Sequence, residues 1–420
     1  LLGAGFRAAI HEQLGLQILR PSDFIRQIDE LRSQREYEPA KLSGTGLQFA
    51  LVKSGQESNL IKTFHQKEPR LEFQTRFRGF LSDVKTSRSF IVTTISGDIL
   101  ALVVSVTKSS GRTEIPIFRI LPGNLAPTLT RHLLVNMVDN SVAKGSSAIE
   151  FTDAFTSGES ELALKEEGFL NAGHRFVKLH LPVMGTSEQI VKLLGKFEPA
   201  DDKEKEYLQI LSDILAKPPY EISFQTFADI EKALFPLKIL DSPIKTYMVP
   251  IRPNWAKELF DSDLANQGLF PAREDLALRK EQVYYRSKLN SAGIKPPARI
   301  LWYVSQDRSL PHKSGAIRAC STLYEVNVDG PKVLYARYRR LGIYEWSDVY
   351  KAAKQNVNND IMALRFGDTE LFLTQITLDD LRNISKQHDF GLQLQSISRI
   401  PHSAFAEIYA RGLERRYHED

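Results

Sequence analysis

The stretch AIEFTDAFTSGESELALKEEGFLNAGHRFVKLHL, residues 148–181, constrains this chain more than any other. A short apolar run opens it, a helical run ends in a glycine, and a second alternating segment closes it, so it reads as strand, helix, strand. Gly168 stands where a helix C-terminus favours a left-handed residue. A unit this small cannot bury its own apolar faces, so further sheet and helix must sit against it.

The flanking sequence supplies both. LQFALVK, from residue 47, reads as a strand, and residues 56–85 are mainly helical, with Leu60, Ile61, Phe64, Leu71, Phe73, Phe77 and Leu81 as core candidates. Three strands follow, SFIVTTI, ILALVVSVT and TEIPIFRIL, joined by the turns SGD and KSSGR. A helix from about Thr128 to Lys144 then leads into the strand–helix–strand unit. The expected order is β-αα-β-β-β-α-β-α-β.

That order, together with ALKEEGF at Ala163–Phe169, resembles the GNAT acyltransferase fold and its A-L-x-x-x-G-F signature over roughly residues 46–182. The resemblance implies acetyl-CoA as cofactor, its pyrophosphate laid on the N-terminus of the helix after the fourth strand, where backbone N–H groups and the helix dipole meet the negative charge. The segment here is RILPGNLAPTLTRHLL, so the residues implied are Leu121, Gly123, Asn124, Leu125, Ala126 and Thr128. Its spacing departs from the family's Q/R-x-x-G-x-G/A pattern, and Pro122 and Pro127 remove two donors. Direct transfer needs a base for the accepting amine and an acid for the departing thiolate. Glu114 is the candidate base. The family's acid is a tyrosine near the helix after the fifth strand; residues 150–180 contain none, which leaves Ser157, or Ser160, as the group nearest the sulfur. Two readings stay open: a working acetyltransferase, and an acyltransferase-like scaffold without catalysis.

The opening segment, residues 1–45, resembles the C-terminal end of a PIN nuclease domain, with RPSDFIRQI in place of its TPxxFxxxL helix. The metal-holding acids of such a nuclease would precede Leu1, so a longer parent protein is expected and no metal site is assigned here. KFEPADDKEKEYLQ, within residues 196–224, reads as a linker running into a helix. Beyond it EQVYYRS, ARILWYVS, AIRACSTLYEVNV, IMALRFGDTELF and GLQLQSISRIP alternate apolar and polar residues, which predicts a small barrel or strongly curved sheet. RILWYVS and AIRACSTLYEV make residues 225–420 resemble the PUA-like barrels of the ASCH and EVE type. The expectation is thus an α+β multi-domain chain: 1–45 PIN-like, 46–195 GNAT-like, 196–224 linker and helix, 225–420 PUA-like.

Charge gives the second half its own signal. Residues 281–345 hold eleven Lys and Arg against five acids, a local excess larger than the net charge of +4 of the whole chain. Tyrosines and Trp302 are interleaved with these bases, and basic groups with flat rings suit phosphates and exposed bases. PUA-like barrels are nucleic-acid modules, so the partner expected is nucleic acid, RNA first. Arg299, Arg318, Arg337, Arg339 and Arg340 are candidate phosphate contacts, and Trp302 or Tyr303 candidate stacking rings. Alternation puts Trp302 and Tyr303 on opposite faces, one of them in the core.

Other features mostly exclude. The single cysteine, Cys320, rules out an internal disulfide and a thiolate zinc site, which points to a reducing, cytoplasmic setting. SFIVTTISGDILALVVSV is split by Ser96, Gly97 and Asp98 into runs too short for a membrane helix. No P-loop, dinucleotide fingerprint or His pair at metal-ligand spacing occurs, and His132, His174 and His180 read as ordinary histidines. Combinations of such modules look like those of bacterial toxin-type and mobile-element defence systems.

Overall fold

A computed structural model describes residues 47–53, 55–94, 96–259, 281–288, 293–306, 314–339, 341 and 344–413. The PIN-like segment at 1–45 and Arg340 lie outside the described residues.

The first sheet is built from β1 (Gln48–Leu51), β2 (Ser87–Thr93), β3 (Ile99–Thr107), β4 (Thr113–Ile120), β5 (Ala148–Phe151), β6 (Leu170–Asn171) and β7 (Phe176–Leu179), in the order β1-β2-β3-β4-β5-β7-β6. Among the described residues its parallel pair is β4 with β5. Helices α1 (Glu57–Phe64) and α2 (Arg70–Ser82) cover one face, while α3 (Ala126–Ala143) and α4 (Gly158–Glu166) cover the other. The expected element order is present, with the two-residue β6 added. Of the expected core residues of α1 and α2, Leu60, Ile61, Phe64, Phe73 and Phe77 are buried; Leu71, in the first turn of α2, is 74% exposed and Leu81 only half-buried.

Pro116 shapes β4. It has no N–H to give a central strand, and a bulge marks the spot: Val104 faces Ile117 while Val106 faces Glu114, so β4 carries one extra residue. The extra residue turns Ile115 and Phe118 toward α3 and Ile117 and Arg119 toward α1 and α2.

Gly168 ends α4 with φ of +77°. Its N–H donates to the Lys165 carbonyl and that of Phe169 to the Leu164 carbonyl, which satisfies the frayed end. Phe169 then packs edge-on against Phe151. What sits against this signature is helix α7 (Phe224–Ala233): a Cβ on Gly168 would lie 3.3 Å from the Ala233 Cα.

Between the two sheets lies a helical layer. It comprises β8 (Met184–Gly185), α5 (Ser187–Leu194), α6 (Asp202–Leu215), α7 and β9 (Lys238–Ile239), with β8 paired to β9. Leu208, Leu211 and Leu215 of α6 join Val177 and Leu179 of β7 and Ile230 of α7 in one core cluster. Residues 196–224 therefore include a docked helix. His180, just after β7, ties this layer to the first sheet: Nδ1 donates to the Phe235 carbonyl at 3.2 Å and Nε2 accepts from the Ser141 hydroxyl at 3.1 Å.

The second sheet holds β10 (Lys245–Ile251), β11 (Gln282–Ser287), β12 (Ala298–Val304), β13 (Ala316–Asp329), β14 (Ile361–Thr377) and β15 (Ser398–Ile400), in the order β11-β14-β13-β12-β10-β15. It curls until the Tyr284 hydroxyl of β11 donates to the Pro250 carbonyl of β10 at 3.3 Å, four strands away in that order. Trp302, Tyr284 and Phe366 fill the interior. The outer face is covered by α11 (Leu378–Gln387) and α12 (His402–Leu413), while α9 (Pro331–Tyr338) and α10 (Trp346–Ala352) pack beside β13 and β11. A short helix, α8 (Pro253–Leu259), follows β10. The chain is thus α+β as expected from the sequence, and among the described residues both large sheets are mixed.

Two expectations follow. Gly168→Ala meets a left-handed backbone and the Ala233 Cα together, and should cost about 1–3 kcal/mol, read as a lower urea midpoint at unchanged slope. Burial, with Lys178 nearby, holds the His180 imidazole down to about 3. The unfolded histidine takes its proton near its ordinary value, so the unfolded state binds more protons between the two and stability falls as pH drops through that window. His180→Gln should flatten the fall of the urea midpoint between about pH 6.5 and 4; an unchanged slope would contradict this.

Candidate functional site

The chemistry expected of the first sheet centres on β4 and β5. These strands pair only as far as Ile115 and Phe151, after which they diverge and leave the far half of β4 without a strand neighbour on that side among the described residues. The wedge is filled. The Asp153 carboxylate, just beyond β5, accepts the Phe118 N–H at 3.0 Å and both Nε and Nη2 of Arg119 at 2.9 Å. Arg119 also donates to the carbonyls of Phe64 and His65 and to Glu68, which Arg76 binds in turn. Its guanidinium stacks 4.7 Å from the Phe73 ring centre and 5.2 Å from that of Phe155. Burial alone would weaken the Arg119 charge; Asp153 and Glu68 outweigh it and hold its pKa above the ordinary arginine value. In the sequence Arg119 falls in the expected cofactor segment and nothing marks this cluster, because Glu68, Arg119 and Asp153 come from three distant segments.

Glu114 lies at the other end of β4, about 20 Å of strand from the loop at 121–126. It accepts from the Thr152 hydroxyl at 2.7 Å and pairs with Lys108 at 3.2 Å. Beside it Arg112 and Arg175 both bridge Glu150 and the fully buried Glu204 of α6, at 2.8–3.0 Å. Lys108, Arg112, Glu114, Glu150, Thr152 and Arg175 line an open cleft of about 900 Å³, with Glu204 buried behind it. The ionic lattice accounts for Glu114 without catalysis. Ser157 is the N-cap of α4, its hydroxyl accepting the Ser160 N–H at 3.2 Å. This is a helix-capping role.

The loop before α3 keeps more of its expected character. Gly123 and Asn124 are exposed, Leu121 and Leu125 half-buried, and Ala126 and Thr128 buried. The Ala126 N–H is engaged by the Gly123 carbonyl at 3.0 Å, whereas those of Gly123, Asn124 and Leu125 make no backbone hydrogen bond among the described residues. A Cβ on Gly123 would meet nothing within 4 Å.

In the second half three of the expected contacts are overturned. Arg299 is 2% exposed and bound to Glu231, the Ile239 carbonyl and Ser242. Trp302 and Tyr303 are both buried, because β12 is a central strand with the barrel interior on one side and α11 and α12 on the other. Alternation separated their faces correctly but not their exposure. Arg318 is half-buried against Gln375 at 3.2 Å. Arg337 and Arg339 are exposed at the end of α9, Arg337 bridged to Glu325 at 2.6 Å. Beside them Tyr335, one of the tyrosines interleaved with the bases, forms a row with Trp346 and Tyr350, which no sequence expectation covers; each is half-buried, with ring centres 5.7 and 5.9 Å apart. Lys332 is exposed on α9 and Lys351 reaches out from α10. Helical spacing brings Trp346 and Tyr350 together at i, i+4, a signal hidden by the many other aromatic residues of the barrel. Cys320 is buried, and burial pushes its thiol up to about 12, which removes it as a nucleophile.

No protein-family model and no curated protein matches the chain. Among solved structures it is similar to the ASCH protein from Zymomonas mobilis, at 16% identity over 40% of this chain and 94% of that one, with a TM-score of 0.29. It is also similar to spermidine N-acetyltransferase from Vibrio cholerae in complex with CoA and spermine, at 16% identity over 32% of this chain and 96% of that one, with a TM-score of 0.27.

The wedge makes its own prediction. Removing one of the two carboxylates that hold a buried guanidinium leaves Glu68 alone to balance it and the Phe118 N–H short of its acceptor, so Asp153→Asn should cost up to about 3–5 kcal/mol, read by urea unfolding. Glu114→Gln, at a half-buried site, should cost well under half as much. Equal losses would contradict the structural ranking of the two carboxylates.

Proposed function

We propose that this chain is a single-stranded nucleic-acid-binding protein, RNA its first partner, in which residues 225–420 carry the binding surface and the acyltransferase-like residues 46–195 serve as a scaffold without acetyl transfer. One observation carries the binding half: the Tyr335, Trp346 and Tyr350 row flanked by exposed Lys332, Arg337 and Arg339. Flat rings at this spacing stack successive bases of any sequence, and the flanking cations meet the phosphates. The scaffold half draws support from the filled wedge, where the Asp153 carboxylate already occupies the Phe118 N–H and the Arg119 guanidinium. A cytoplasmic setting fits both the partner and the single reduced cysteine.

The second reading, a working N-acetyltransferase using acetyl-CoA, is favoured by the unengaged amides of Gly123, Asn124 and Leu125 ahead of α3. Calorimetry separates the two. On the first reading acetyl-CoA at millimolar concentration gives no binding heat; saturable binding that is lost in Gly123→Trp would favour the second.

Titration of the full chain with single-stranded RNA and DNA at several salt concentrations tests the surface. Trp346→Ala should weaken binding by about 1–3 kcal/mol with little change in salt slope. Arg339→Ala should lower that slope by about one unit. Absence of salt-sensitive binding to either nucleic acid would overturn the proposal.

A further inference from the structure

A cavity of about 370 Å³ opens between α7 and the strands β12, β13 and β14, at the small end of the range for ligand pockets. None of the aromatic and basic surface residues on α9 and α10 lines it. At its base sits Arg299, whose Nε and Nη2 are held by Glu231, Ile239 and Ser242, while its Nη1 is buried and has no hydrogen-bond partner. Lys232, on α7, donates to the Glu166 carbonyl at 2.7 Å with donors to spare.

One wall is aromatic. The Tyr324 hydroxyl donates to Asp368 at 2.5 Å, and Lys232 and Arg365 approach its ring at 6.0 and 5.8 Å. Pro296 and Pro297 also line the space. Asp368 owes its direction to the backbone. It has φ of +45°, in an irregular stretch of β14 where Cys320 faces Glu370 and Thr322 faces Gly367. Left-handed non-glycine residues and bulges of this kind cluster where a side chain must be re-aimed.

The lining carries cations at Lys232, Lys238, Arg299 and Arg365, and carboxylates at Asp229, Glu231, Glu281 and Asp368. A purely anionic guest would suit the first set and be repelled by the second. A guest that brings an anionic group and its own hydrogen-bond donors on a flat ring satisfies both.

We propose that this cavity binds a nucleoside monophosphate, with phosphate oxygens on Lys232 in the field of Arg299 and Arg365, the base against Tyr324, and the donors of base or ribose on Asp368 and Glu281. The site is separate from the aromatic row on α9 and α10, so it stands or falls independently of the function proposed above.

Calorimetry and thermal unfolding of the full chain with AMP, GMP, CMP and UMP test it, with inorganic phosphate and the free nucleosides as controls. At least one nucleotide should bind saturably and raise Tm, with phosphate alone and the matching nucleoside at least about tenfold weaker. Lys232→Met and Tyr324→Leu should each weaken that binding by about fivefold or more while the ligand-free Tm stays near wild type; these positions are chosen because Arg299 is buried and its loss threatens folding. Trp346→Ala should leave nucleotide affinity unchanged. The proposal is overturned if no nucleotide binds, if phosphate binds as well as the nucleotides, if both cavity variants bind normally, or if Trp346→Ala abolishes binding.

Discussion

The Arg119 guanidinium, fully buried between Asp153 and Glu68, is the interaction on which the first half depends. It exists because Pro116 forces a bulge into β4, which rotates Arg119 toward α1 and α2, and because β5 ends early enough for Asp153 to turn into the wedge. One carboxylate then does two jobs, capping an orphan strand amide and neutralising a buried charge. With both roles occupied, the wedge between β4 and β5 is filled by buried side chains.

The second half is mounted on the first sheet through the helical layer. Glu204 of α6 is buried between Arg112 and Arg175, Gly168 touches Ala233 of α7, and His180 reaches the Phe235 carbonyl. Lys238, just past α7, pairs with Glu370 of β14 at 2.8 Å, and the Tyr409 hydroxyl of α12 binds the same carboxylate. These contacts are mostly buried and charged, so they fix geometry more than they add stability. The junction cavity is a product of that geometry: α7 forms one wall and the barrel strands form the others.

Much of this was legible in the sequence, and the failures have physical causes. Element order, the turns and the Gly168 stop follow local rules of periodicity and left-handed caps, and all appear in the structure. Exposure was not legible. Alternation in RILWYVS separates Trp302 from Tyr303, but only the helices packed outside β12 decide that both are buried. A run of arginines gave a basic surplus, yet Arg299 is consumed by Glu231, a partner 68 residues away. Ser157 reads in the sequence as one of two candidate serines, whereas in the structure α4 begins one residue later and uses it as a cap. Sites assembled from distant segments, such as Glu68 with Arg119 and Asp153, leave no mark in any one window.

The Phe118 amide reports on the wedge more directly than any other group. Its hydrogen-exchange rate, followed in the folded chain with and without millimolar acetyl-CoA, tests whether Asp153 holds it permanently. The account predicts strong protection that acetyl-CoA leaves unchanged. Rapid exchange in the free protein that slows when acetyl-CoA is added would show the wedge to be an open ligand site and would contradict it.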